Sequence, residues 1–226
     1  MSQPLRIACC GSSFGGKSTL AAALANELNL EAILESRPTR AARVLGYQAA
    51  RDVQPVDMLA FQVQGLLEQI KAEAGLLARD GGCHYGPDYS GNYEFYRPGF
   101  VSDRTVLDFV AFFRTQADEL TQRRFPEYSR IAKAHAADAY DLIIYMPAFT
   151  DRVAEDNGIR HLVGHTVVEA HLETLFKSFE LEDRVMRLTT DGVANRLAEV
   201  LTELQARGLY TPTPELRSSR SPHVPL

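Results

Sequence analysis

Gly11, Gly16, Lys17 and Ser18 fall in the spacing G-x-x-x-x-G-K-[ST], inside the run C-C-G-S-S-F-G-G-K-S-T from Cys9 to Thr19. Those residue types at that spacing suit one task, holding a chain of phosphates. Glycines let successive backbone N–H groups converge on phosphate oxygens without interference from a Cβ. A lysine reaches the β- and γ-phosphates as a point charge, and a serine hydroxyl ligates Mg2+. A helix starting here adds its positive N-terminal end. The expected ATP-binding residues are Gly11, Ser12, Ser13, Phe14, Gly15, Gly16, Lys17, Ser18 and Thr19, with Ser18 as a Mg2+ ligand. The competing explanation, a strand–turn–helix with an incidental lysine, is rejected because the motif is complete and sits between a strand-like and a helix-like pattern.

The elements that must position this loop follow from periodicity. Leu5–Cys10 is a short, mainly apolar run, as expected of a buried parallel strand. Leu20, Leu24 and Leu28 recur at i, i+4 and i+8 on alanine-rich ground, which predicts a helix over Ser18–Leu28. Glu31–Leu34 reads as a second strand, delivering Glu35, Arg37 and Arg40 in a segment where Pro38 is expected to break any helix. After a cap at Asp57, Leu59, Val63, Leu66, Leu67, Ile70, Ala74 and Leu77 form the apolar stripe of a long helix. Gly99–Asp103 predicts a third strand and Thr105–Arg123 a helix packed through Val106, Phe109, Val110 and Phe113. Asp141–Met146 is the clearest strand, stopped by Pro147. A helix through Val168, Leu172, Leu175, Phe176 and Phe179, a strand at Arg184–Leu188 and a helix over Val193–Arg207 closing at Gly208 complete the pattern. Strands alternating with helices imply a parallel sheet with right-handed crossovers and ligands at the carboxyl ends of its strands.

Composition narrows the class. With 226 residues, 45% hydrophobic and 23% charged, the chain can bury one α/β core. A formal net charge of −5 advertises no global nucleic-acid field, though a local basic groove stays open. The N-terminus lacks a signal-peptide pattern, and no run of about 18 apolar residues exists to span a membrane. Three cysteines make no disulfide framework, so a cytoplasmic location is expected.

Three further clusters stand at predicted strand ends: Glu35, Asp103-Arg104-Thr105, and the connector A-F-T-D-R-V-A-E-D-N-G-I-R from Ala148, which carries Arg152 and Arg160. With these in place the chain resembles the P-loop nucleoside and nucleotide kinases: deoxynucleoside kinases, thymidylate kinases and ribosylnicotinamide-kinase-like ATP-binding domains. The resemblance covers most of residues 5–207, with specificity concentrated in the phosphate loop. It implies a P-loop NTPase α/β three-layer sandwich with a parallel, five-stranded sheet and a small lid. Residues 1–209 would form the kinase domain, with the lid at about 148–163, and 210–226 a poorly ordered tail. It also implies roles. Glu35 would be the general base on the acceptor hydroxyl, against the alternative of a surface glutamate pairing with Arg37 or Arg40. Asp103 would hold Mg2+ through water and Arg104 would clamp substrate or phosphate, alongside the simpler reading of Asp103 as a helix cap. Arg37 and Arg40 would grip the acceptor or stand as solvated charges. Arg152 and Arg160 would be lid arginines closing over the transferred phosphate, or would simply pair with Asp151, Glu155 and Asp156. Asp108, one turn past Asp103, faces the same cleft or solvent. Thr189, Thr190 and Asp191 lie where such kinases contact adenine, or cap the last helix.

Other features are weaker. The segment Gly81–Pro98 carries five tyrosine or phenylalanine side chains that suit stacking on a base or covering a sheet edge. Cys83 and His84 are one Cys/His pair without a second, too little for zinc. His161, His165 and His171 do not share one helical face. The expected function is transfer of the γ-phosphate of ATP, with Mg2+, to a nucleoside, nucleotide or nucleoside-like small molecule. A regulatory P-loop ATPase is the rival, weakened because Asp141–Met146 ends in Met-Pro rather than in an Asp-Glu pair. A kinase acting on modified bases in nucleic acid is the second rival. No membrane partner is expected, and a homodimer is left open.

Overall fold

The structure, a computed structural model, describes residues 5–11, 15–34, 37–74, 99–116, 119–147 and 162–211. Its strands are β1 (Arg6–Cys10), β2 (Glu31–Ile33), β3 (Phe100–Ser102), β4 (Leu142–Tyr145) and β5 (Val185–Arg187). Between and around them run α1 (Lys17–Leu28), α2 (Arg37–Val44), α3 (Met58–Glu73), α4 (Val106–Gln116), α5 (Glu119–Gln122), α6 (Phe125–Ala139), α7 (Leu162–Ser178) and α8 (Val193–Ala206). The strands form a single five-stranded sheet in the order β2-β3-β1-β4-β5. Every neighbouring pair is parallel, with Ile7 of β1 opposite both Val101 of β3 and Leu142 of β4.

The period-2 alternation of a strand sorts β1 between two cores. Ala8 and Cys10 join the apolar cluster under α4, α6 and α7, while Ile7 and Cys9 join the one under α1 and α8. Helices therefore cover both faces, which is why β1 and β4 are apolar almost without interruption. The chain leaves β1 with β3 on one side and β4 on the other. That switch point is where an open α/β sheet forms its crevice.

Two expectations are corrected. Pro38 does not break a helix: it sits second in α2, in the first turn, where its missing N–H costs nothing. The stripe expected on α3 holds only in part. Leu66 is buried, but Val63 and Leu67 are 39% and 40% exposed. The buried face carries Gln62, Gln69 and Glu73 instead. Periodicity failed there because the helix packs against polar groups at the end of β3, and hydrogen-bonded polar side chains can be buried there. The helix expected over Thr105–Arg123 is described over α4 and α5, and residues 117–118 between them lie outside the described residues. The lid segment 148–161, the aromatic segment 81–98 and the tail from 212 also lie outside the described residues. No helix among the described residues is long and apolar enough to cross a membrane.

Candidate active site

The phosphate loop leaves β1 beside the end of β4, where the Met146 N–H donates to the Cys10 carbonyl at 2.9 Å. Gly11 has φ 133°, and a Cβ there would lie 2.1 Å from the Met146 carbonyl oxygen. Only glycine fits. Gly16, at φ 78°, is the N-cap of α1, and no side chain caps that helix. The first-turn N–H groups of α1 thus face the loop rather than a side-chain oxygen, the arrangement that binds anions. Ser12, Ser13 and Phe14 lie outside the described residues.

Lys17 is only 6% exposed. Burial lowers its pKa to about 8, helped by the charge of Arg104 and opposed by that of Asp108. Ser18 donates its hydroxyl to Asp103 Oδ2 at 2.6 Å. Burial pushes the Asp103 carboxyl above its usual range, while the Ser18 hydrogen bond and the charges of Arg104 and Lys17 pull it back. The cap reading of Asp103 gives way, because α4 begins later and its cap is a different pair. Asp108 Oδ2 accepts the Thr105 N–H at 2.8 Å, and the Thr105 hydroxyl oxygen accepts the Asp108 N–H at 3.3 Å. This is a reciprocal capping box with aspartate in the glutamate position.

Asp108 is fully buried, so its solvated reading is overturned. Its Oδ1 accepts the Gly11 N–H at 3.1 Å and lies 3.9 Å from Arg104 Nη1. Arg104 itself lies over the Phe112 ring, 5.5 Å from the centroid. Its backbone is held from behind. Gln69 Nε2 lies 3.0 Å from both the Arg104 carbonyl and Ser102 Oγ and 2.7 Å from Glu73 Oε1, and shares its two hydrogens among these three acceptors. Glu73 in turn accepts from the Tyr140 hydroxyl and meets His135 Nε2 at 2.7 Å. Tyr140 also accepts the Val106 N–H at 2.9 Å. α3 and α6 thereby pin the turn from β3 to α4.

Arg40 forms an ion pair with the buried Glu68, Nε to Oε2 at 2.9 Å. Glu35, the Arg37 side chain, Arg152, Arg160, Cys83 and His84 lie outside the described residues. No group of three His, Cys, Asp or Glu among the described residues could hold a metal ion. Mg2+ needs none, since it keeps several waters and substrate phosphates beside one or two protein oxygens. The glycine cradle, the buried Lys17 and the Ser18–Asp103 pair fit ATP·Mg2+.

No family model and no curated protein matches the chain. Solved structures do. NadR protein in complex with NR aligns at TM-score 0.63 and 16% identity, over 94% of this chain and 54% of NadR, so this chain spans about half the NadR length. Deoxyadenosine kinase from M. mycoides with bound dATP aligns at TM-score 0.57 and 15% identity, over 89% of this chain and all of the kinase. Thymidylate kinase from Candida albicans aligns at TM-score 0.55 and 12% identity, over 92% and 95%. The chain has the fold of the P-loop nucleoside and nucleotide kinases.

Within this P-loop kinase fold, the turn after β5 is held by α8. Glu199 accepts the N–H and hydroxyl of both Thr189 and Thr190, at 2.5–3.1 Å. Burial pushes the Glu199 carboxyl up, and those four donors more than offset it, so its pKa lies below the ordinary glutamate value. The cap reading of Thr190 and Asp191 is overturned, because the N-cap of α8 is Gly192 and no side chain caps that helix. Arg196 was missed in the sequence. It lies 4% exposed in α8 and reaches the Gly15 carbonyl of the phosphate loop. Its one readable signal was a cation standing one turn into a helix, in line with Val200 and Leu204.

Proposed function

We propose that this chain moves the γ-phosphate of ATP, in the presence of Mg2+, to a hydroxyl or phosphate of a nucleoside, nucleotide or nucleoside-like small molecule. The observation that carries the reading is the 2.6 Å contact between Ser18 Oγ and Asp103 Oδ2, next in sequence to a buried Lys17. It joins the end of β3 to the start of α1 and gives two oxygens to one cation. Mg2+ bound there neutralises charge on the β- and γ-phosphates.

Lys17 meets the same phosphates, and Gly11 and Gly16 let the loop turn where a Cβ would run into the Met146 carbonyl or the Arg196 guanidinium. Arg104, placed over the Phe112 ring and held by its backbone, serves as the acceptor-side cation. Glu35 acts as base or hydroxyl binder, Arg37 and Arg40 line the acceptor entrance, and Arg152 or Arg160 closes from a lid at about 148–163. Structural neighbours support a nucleoside-like acceptor, since they include NadR with NAD and AMP-PNP and deoxyadenosine kinase with bound dATP.

ADP production measured with ATP·Mg2+ against a panel of nucleosides and nucleotides, with bare DNA as an added arm, tests this. One small acceptor should raise turnover above the basal rate. Stimulation by DNA alone points to a nucleic-acid kinase, and basal hydrolysis with no acceptor effect sinks the kinase reading. Lys17→Met should lower transfer by on the order of 10²–10³-fold while the melting temperature holds or rises, because a desolvated cation is removed. Normal turnover in that variant refutes the phosphate-loop assignment.

A further inference from the structure

Arg196 sits where the pattern of α8 asks for an apolar residue. It shares one face, at i, i+4 and i+8, with Val200 and Leu204, both fully buried. A guanidinium in that place is costly on two counts. It is almost wholly removed from water, and it stands one turn into a helix, near the positive end of the macrodipole. Nothing about packing α8 on the sheet requires it.

Its contacts show what it does instead. Nη1 donates to the Gly15 carbonyl at 2.5 Å, across 181 positions of sequence. Nε donates to the Thr190 carbonyl at 3.1 Å, and Nη2 lies 3.5 Å from Asp191 Oδ1. A Cβ on Gly16 would come within 3.2 Å of Nη1. The guanidinium therefore lies under the floor of the phosphate loop. Its planar fork reaches the loop and the turn after β5 at once.

The consequence follows from the peptide unit. The Gly15–Gly16 peptide is planar and trans, so its C=O and N–H point in opposite directions. Anchoring the Gly15 oxygen on one side aims the Gly16 N–H at the other. Between two glycines, that peptide has little else to prevent it from turning over.

We propose that Arg196 is a positioning residue of the phosphate loop: it holds the Gly15 carbonyl so that the Gly16 N–H stays directed into the anion cradle. The inference rests on the donor-site reading above and adds a residue that the motif does not contain. It predicts an effect on the phosphates themselves and not only on the base, although the same side chain also touches the Thr190 turn.

The test compares ATP·Mg2+ with magnesium tripolyphosphate, which has no base, by titration calorimetry on the full chain. Arg196→Met restores the apolar pattern of α8, so the melting temperature should hold or rise. Affinity for both ligands should fall by a similar factor, about ten- to a hundred-fold, the loss expected for one charge-assisted hydrogen bond. In Arg196→Gly, millimolar methylguanidinium should restore part of the tripolyphosphate affinity, which a purely structural role would not produce. Should Arg196→Met fail to fold, Arg196→Lys keeps the charge without the fork and reads out the same comparison. Unchanged tripolyphosphate affinity in a folded variant overturns the proposal, whether or not ATP binding has changed. If the wild-type protein binds neither ligand, the donor-site reading falls first and this inference falls with it.

Discussion

Around the phosphate loop, side chains and carbonyls from distant parts of the chain converge on backbone atoms. Asp108 takes the Gly11 N–H, Arg196 holds the Gly15 carbonyl, and the Met146 carbonyl leaves room at Gly11 for nothing larger than hydrogen. Between α2 and α3 the contacts run from side chain to side chain. Arg40 meets Glu68, the Tyr47 hydroxyl meets Asp57, and Ala41, Ala42, Val53 and Phe61 form a small satellite core. The difference matches what each side has to offer a ligand. A phosphate chain is held mainly by N–H groups, whose direction depends on peptide planes, so the planes themselves must be clamped. In the proposed function an acceptor is met by side chains such as Arg104, which can be exchanged without rebuilding the backbone. On this view the donor side tolerates little change, and the acceptor side is where one fold can be turned to different substrates.

The sharpest way to break that comparison is Asp108→Ala. The carboxylate is fully buried and accepts from the Gly11 N–H, the Thr105 N–H and the Thr105 hydroxyl. Its loss leaves buried donors unsatisfied and should cost about 3 kcal/mol in urea-induced unfolding. Asp108→Asn keeps the shape but turns one acceptor into a donor, and should cost less. A loss below about 1 kcal/mol for the alanine variant would mean that the loop is not held through its backbone.

The sequence made the donor side legible and the acceptor side much less so, for the same physical reason. Gly11, Gly16, Lys17 and Ser18 are close in sequence because one loop does the work, so a local pattern finds them. The apolar strands β1 and β4 were legible because both faces of the sheet are covered. Asp103 was readable by its place at a strand end, but its partner Ser18 is 85 positions away and only the fold joins them. Arg196 showed only as a cation on the apolar face of a helix, and its role was hidden because its target is 181 positions distant. On α3, periodicity found only part of the buried face. It counted Val63 and Leu67 as core and had no means of knowing that Gln69 and Glu73 would find Ser102, Tyr140 and His135 as partners. Pro38 was misread because proline ends a helix or opens one depending on position, and the start of α2 carries no other mark.

A second prediction separates the two sides by pH. Lys17 has its pKa lowered to about 8 by burial, against 10.5 in the unfolded chain. Between those values the unfolded chain binds one proton more than the folded one, so the stability of the free protein should rise with pH across that window. ATP affinity should move the opposite way. Above pH 8 an increasing fraction of the protein has a neutral lysine, and affinity should fall by roughly tenfold per pH unit as the proton must be taken up on binding. Calorimetric titration of ATP·Mg2+ from pH 7 to 9.5 measures this. A flat profile would mean that Lys17 stays charged in the free protein and that its burial is not felt as desolvation.

The smallest expected effect falls on the proposed acceptor side, at Gly65 of α3. A Cβ there would lie 2.9 Å from Cε1 and 3.1 Å from Cδ1 of Phe109, a ring packed in the core beneath α4. Overpacking of this kind costs about 1–3 kcal/mol, while replacing glycine by alanine within a helix returns about 1 kcal/mol. Gly65→Ala should therefore lower stability by only about 1 kcal/mol, and the strain should be relieved by α3 moving away from α4. That movement pulls on Gln69 and hence on the Arg104 carbonyl, without touching Gly11, Gly15 or Lys17. KM for the acceptor should rise several-fold, while the affinity for ATP·Mg2+ stays within twofold of wild type. Equal changes in both would show that the two sides are mechanically one body, and that clamped backbone and exchangeable side chains are not separate parts of this fold.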